Sequence, residues 1–239
     1  MHDNPFHQQG LEAIERSDTK EAEKYFKLSV EEYAYAPSYF ELAQIYKNIN
    51  TIRSRTKARK FIRKAIWKEP YKIEYRLLLA ELMEYFINKM AYDVYEDILQ
   101  IDSICITALF HLGRIKELEF YEYNKSVRKS GSDPSLSLEA YAIEDFRIAE
   151  GFFNRIINYD SSRIDSYLHL GCLYEDIGEP EKGIPLLQKV IALEPANKQA
   201  YLYLGLLYYK TSEIESCYLA YQKALGLMSS EEKNDFKFN

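Results

Sequence analysis

Tyr167-Leu168-His169-Leu170-Gly171-Cys172-Leu173-Tyr174 returns 34 positions later as Tyr201-Leu202-Tyr203-Leu204-Gly205-Leu206-Leu207-Tyr208. Tyrosine, leucine, glycine and tyrosine keep their places, and Leu187 and Val190 further on recur as Tyr221 and Ala224. A fixed period of this length is the mark of stacked helical hairpins, in which each unit buries its apolar face against the next. The residue types suit those places. Gly171 and Gly205 let the first helix of a hairpin approach its neighbour closely, while the large apolar positions fill the space between hairpins. The pattern predicts an all-α interaction scaffold.

Composition narrows the classes further. With 239 residues the chain has room for about seven units of this period. Few glycines and prolines and a 47% hydrophobic content argue against disorder. Tyrosine (22) and phenylalanine (12) are over-represented, as expected of rings serving as knobs between layers or lining a peptide groove. A net charge of −6 disfavours nucleic acid, which needs a basic footprint. No apolar run of about 18 residues is present, so no transmembrane segment is expected. Met1 to Pro5 has neither a basic start nor an apolar stretch, which predicts a cytoplasmic location by default, or an envelope one if a leader has been removed. Cys105, Cys172 and Cys217 are scattered through helical stretches and read as small packing residues, not as disulfide partners.

The pattern can be followed upstream. Phe6 and Gly10 precede Ala22, Phe26 and Ser29; Tyr39, Leu42, Ala43 and Tyr46 precede Ala58, Ile62, Ala65 and Pro70. A weaker copy holds Tyr75, Leu78, Leu79 and Leu82, then Ala91, Tyr95 and Ile98. Leu109, Leu112 and Gly113 open another, whose second half appears only at Phe146, Ala149, Phe153 and Ile156. On these residues the chain resembles the tetratricopeptide-repeat (TPR) family over most of its length. The resemblance implies a right-handed superhelix (an α-solenoid) of about six repeats, at 3–35, 36–71, 72–104, 105–161, 164–197 and 198–231. The fourth carries an insertion at about 118–142, in which Asn124-Lys125-Ser126 and Ser130 to Pro134 read as loop and Leu136 to Ile143 as helix. Pro185 should either delay or kink the helix that holds it. Ser229 to Glu232 reads as a helix start, so 232–239 is expected to open a truncated capping helix.

Catalytic motifs are absent. His2, His7, His111 and His169 form no metal-ligand spacing, and no phosphate-binding loop or nucleophile elbow occurs, so neither enzyme activity nor a cofactor or metal is expected. The resemblance instead implies a ligand groove lined by the first helix of each repeat. Carried over, it comprises Phe40, Gln44, Lys47, Arg76, Phe110, Arg114, Leu168, Cys172, Leu202, Leu206 and Tyr209, with Glu117 and Glu175 on its edge. The aromatic and arginine members suggest a peptide with acidic and apolar side chains. The plain alternative is that they contact neighbouring helices. The carboxylate clamp of chaperone-binding TPR domains is not matched: its places hold His7, Leu11, Glu41, Ile73 and Leu77.

A second feature is the run Arg53 to Lys68. Ala58, Phe61, Ile62, Ala65 and Ile66 recur at helical spacing, leaving a basic outer face with Arg55, Arg59, Lys60, Arg63 and Lys64. Such a face is commonly just solvated; an acidic protein, RNA or an anionic membrane are the binding alternatives. The function expected is a non-catalytic scaffold for a protein or peptide, with a homodimer through an uncapped last repeat as a further expectation. The alternative rests on short segments, among them Tyr75 to Leu82, His111 to Glu117 and Gly178 to Pro185. These resemble the repeat region preceding a GWxTD-motif domain in bacterial proteins, which would make the chain the structural N-terminal region of a larger protein.

Overall fold

The computed structural model describes residues 4–84, 88–130, 140–229 and 232, and among them there are twelve α-helices and no strand. They divide into two compact units, Met1–Ala108 and Leu109–Asn239. The first holds α1 (Pro5–Glu15), α2 (Thr19–Tyr33), α3 (Ala36–Asn48), α4 (Ile52–Lys68), α5 (Ile73–Glu84), α6 (Asn88–Ile101) and the opening residues of α7 (Ile106–Ser130). The second holds the rest of α7, then α8 (Ala140–Tyr159), α9 (Ile164–Asp176), α10 (Pro180–Leu193), α11 (Lys198–Lys210) and α12 (Ile214–Leu227).

Local chemistry sets the helix ends. Asn4, Asp18 and Asn197 accept backbone N–H groups of the first turns of α1, α2 and α11, and Thr51 forms a reciprocal capping box with Ser54 at the start of α4. Helices in a hairpin reverse through a left-handed residue: Ser17, Asn50, Gly178 and Ser212 have φ of 61°, 55°, 75° and 61°. Gly178 and Ser212 stand one repeat apart, and only the first is the residue that conformation favours.

Packing follows the period. In the first unit Phe26, Leu42, Ile62 and Leu82 are fully buried between successive helices, and in the second Phe153, Ile156, Leu187, Val190 and Leu207 are. The α7–α8 pair closes across the interruption: Phe120 meets Phe146 at 6.3 Å, Phe110 meets Phe153 at 6.1 Å, and Lys116 reaches Asp145 at 2.9 Å.

One sequence reading is corrected here, and one of the two alternatives at Pro185 is excluded. Asn124, Lys125 and Ser126, read as loop, lie inside α7, which runs unbroken to Ser130. Pro185 does not delay its helix: α10 starts at Pro180 and continues through it. The N–H that proline lacks would have bonded the carbonyl of Glu181, an exposed residue, so water can take its place. The expected loop at 131–134, residues 136–139 of the expected helix and 233–239 of the expected capping helix lie outside the described residues, whereas 140–143 are helical and open α8. Ser229 and Glu232 do exchange the hydrogen bonds of a helix start, at 3.2 and 2.9 Å. Among the described residues no helix is long and apolar enough to cross a membrane.

Candidate functional site

In the first unit α3 presents Phe40, Gln44 and Lys47 on one stripe, since spacings of four and three residues share a helix face. None of the three stands unengaged. Phe40 is half-buried, its ring 5.0 Å from that of Tyr75. Gln44 donates to Glu41 at 3.4 Å, and burial pushes the Glu41 carboxyl upward. Lys47 pairs with Glu81 at 2.5 Å. Arg76 on α5 donates to the Pro70 carbonyl at 2.9 Å and faces Asp97 at 3.4 Å.

The second unit has the corresponding stripe on α7, and its chemistry is denser. Arg114 pairs with Glu117, a carboxylate only 2% exposed, and its Nη1 lies 3.0 Å from Nδ1 of His169 on α9. The same Nδ1 is 3.1 Å from Glu117 Oε1. A neutral His169 can therefore accept from Arg114 or donate to Glu117 through that nitrogen, but not both. Its ring stacks on Phe153 (5.6 Å, 13°), with Phe110 edge-on at 5.5 Å. Nearby, burial and then the Glu117 charge push the Cys172 thiol up, disfavouring its thiolate. Tyr203, bonded to Cys172, is pushed up to about 12, first by burial.

These contacts sort the eleven expected groove residues. Leu168 and Cys172 are buried, in one apolar cluster with Leu204 and the half-buried Tyr203 of α11. The cations Lys47, Arg76 and Arg114 each have a carboxylate of their own chain. The exposed members lie on α11, Leu206 (39% exposed) and Tyr209 (68%), and Leu202 one turn before Leu206 is half-buried. Leu202 and Leu206 line a hollow of about 390 Å³ with Gln199 and Tyr203, closed on one side by Tyr221 of α12. Tyr203 and Tyr221 were not among the expected site residues, although Tyr221 stands at the repeat position of Leu187 and its ring lies against the backbone of Gly205. Among the described residues no group of three His, Cys, Asp or Glu side chains is placed to hold a metal ion.

The basic helix α4 is also re-sorted. Arg55 is held by Asn50 (2.7 and 3.0 Å), and half-buried Arg59 reaches Met83 Sδ at 4.0 Å, so both leave the outer face. Lys60, Arg63 and Lys64 stay on it and are joined by Arg53, Lys57 and Lys68.

Residues 164–197 match the family model described as tetratricopeptide repeat. Solved structures of this fold resemble the chain over most of its length. MamA matches with a TM-score of 0.63 at 19% identity, covering 84% of this chain and 94% of that one. The C-terminal part of a TPR repeat-containing protein from Cytophaga hutchinsonii matches at 0.68 and 17%, covering 93% and 78%. YrrB, described as a TPR protein with an unusual peptide-binding site, matches at 0.60 and 16%, covering 85% and 92%. No curated protein matches the chain in sequence. The fold is thus that of TPR proteins, an all-α helical repeat. The resemblance to GWxTD-type proteins stays an expectation of the sequence.

Proposed function

We propose that the chain is a non-catalytic scaffold for protein partners, and that the hollow on α11 and α12 takes an apolar segment of a partner peptide. One observation carries this reading: of the eleven expected groove residues only Leu206 and Tyr209 are exposed, and Leu206 lines that hollow together with half-buried Leu202. The internal pairing of Lys47, Arg76 and Arg114 removes the reason to favour an acidic ligand, because a carboxylate would have to displace one already in place. The peptide-binding site ascribed to YrrB, a protein of the same fold, agrees with a peptide ligand. The test is selection from a displayed peptide library against the purified chain, repeated with Leu206→Glu after its helical content is verified. Enrichment of aromatic and aliphatic peptides, lost by about tenfold or more in the variant, is expected, since a charge in an apolar pocket costs several kcal/mol. Enrichment of acidic peptides indifferent to the variant would overturn the reading. Light scattering on both proteins separates this from self-association: a wild-type dimer abolished by Leu206→Glu would assign the hollow to a second copy.

A further inference from the structure

The most one-sided surface in the first unit is the outer face of α4. No Asp or Glu occurs between Ile52 and Lys68, and Arg53, Lys57, Lys60, Arg63, Lys64 and Lys68 are all exposed. None of the six has an ion-pair partner among the described residues, in a chain that pairs its groove cations and carries a net charge of −6. The ammonium groups of Lys57 and Lys64 lie over the rings of Tyr46 and Tyr39 at 4.9 and 5.4 Å, which anchors both side chains along the helix while they stay exposed to solvent. At 1.5 Å per residue the row of cations extends about 22 Å.

Apolar side chains stand at both ends of that row. Trp67 lies on the same face as Lys60 and Lys64, at helical spacing, and is 77% exposed; Tyr71 just beyond α4 is 79% exposed. At the other end Ile52 is 69% exposed. Water is a poor solvent for an indole so placed, whereas the headgroup region of a bilayer accepts both its ring and its N–H.

We infer that the outer face of α4 is a docking surface for an anionic lipid bilayer, with the cations on the headgroups and Trp67 seated among them. The charge attracts any polyanion, but the details select this one. Four of the six cations are lysines, point charges suited to a diffuse layer, where recognition of discrete carboxylates favours the arginine fork. Trp67 projects from a single helix, and a nucleic acid strand is held by a groove in which several rings stack successive bases. The chain's net negative charge does not forbid the contact, because at physiological salt repulsion fades within about 8 Å while the face itself meets the membrane. Each cation at such a surface strengthens binding several-fold.

The chain contains one tryptophan, which makes Trp67 its own reporter. The whole chain is mixed with phosphatidylcholine vesicles with and without phosphatidylserine, sedimented, and its tryptophan emission recorded under red-edge excitation. Co-sedimentation and a blue shift with the anionic vesicles alone are expected. Both should fall by about tenfold or more in Lys60→Glu/Arg63→Glu/Lys64→Glu, and at high ionic strength. The triple variant is first checked for wild-type helical content, as is Trp67→Ala, whose largely exposed ring makes it an independent source of lost vesicle binding. Absence of binding at low salt, binding unchanged in the triple variant, or stronger retention by a single-stranded oligonucleotide or polyglutamate than by vesicles would each overturn the inference.

Discussion

Gly171 on α9 lies directly against Leu187 on α10, so closely that a Cβ at 171 would fall 2.7 Å from Leu187 Cδ2. Leu187 is fully buried, so any shift to make room would press on the side chains packed around it. Gly171→Ala should therefore destabilise the second unit by about 1–3 kcal/mol, the usual cost of overpacking. Gly151 on α8 is the control, for nothing lies within 4 Å of its would-be Cβ. Gly151→Ala should stabilise by up to about 1 kcal/mol through helix propensity alone. Urea unfolding of the two variants checks both signs; equal effects would contradict the close approach.

In the first unit, His7 is enclosed by Phe26 and Tyr35 and shares a hydrogen bond of 2.9 Å with Ser38, which in turn meets Ser29 at 2.6 Å. Burial lowers its pKa from the ordinary 6.5, so the fold favours the neutral ring. Stability from this group is complete above pH 6.5 and is lost as the pH falls below that value, where the unfolded chain takes up the proton first. The melting temperature of His7→Gln should accordingly fall less than that of the wild type between neutral and mildly acidic pH. Parallel curves would contradict the assignment.

Much of this was legible in the sequence, for reasons that individual residues make plain. Gly171 and Gly205 could be read as close approaches because a large side chain, Leu187 or Tyr221, recurs at a fixed distance after each. The face of α4 was legible in outline because apolar and cationic residues alternate with helical spacing. Which cations leave that face was not, since it depends on Asn50 and Met83 reaching Arg55 and Arg59. The groove was the least legible part. A position on the first helix of a repeat marks which way a side chain points, but not that the next hairpin covers Leu168 and Cys172. Glu117, three residues from Arg114, could have been found as its partner from spacing alone. The helical state of Asn124 to Ser126 had no local signal, because polar residues of that type favour turns unless a preceding helix carries them along.

Ser212 occupies the left-handed turn position that Gly178 fills one repeat earlier. Ser212→Gly should relieve that backbone cost and raise stability by roughly 0.5–1 kcal/mol, whereas Gly178→Ala should lose about as much or more. Thermal unfolding of the pair tests the repeat symmetry directly.

Glu117 is the buried member of a cluster whose Arg114 side chain is 33% exposed. Glu117→Leu should cost about 2–3 kcal/mol, below the full penalty for splitting a buried pair because Arg114 keeps some access to water. Arg114→Leu added to it should recover part of the loss. A double-mutant cycle that shows simple additivity would mean the pair contributes nothing.

In the proposed function the α11–α12 hollow receives an apolar segment of a partner. This is tested most directly by replacing Leu206 with a photo-reactive phenylalanine analogue, irradiating the chain in an extract of its source organism, and mapping the adduct. The expected result is a crosslink to a partner segment rich in aromatic and aliphatic residues, competed by the library-selected peptide and lost when Leu202→Asp is added. Crosslinks that survive Leu202→Asp, or that map only to this chain's own residues, would contradict it.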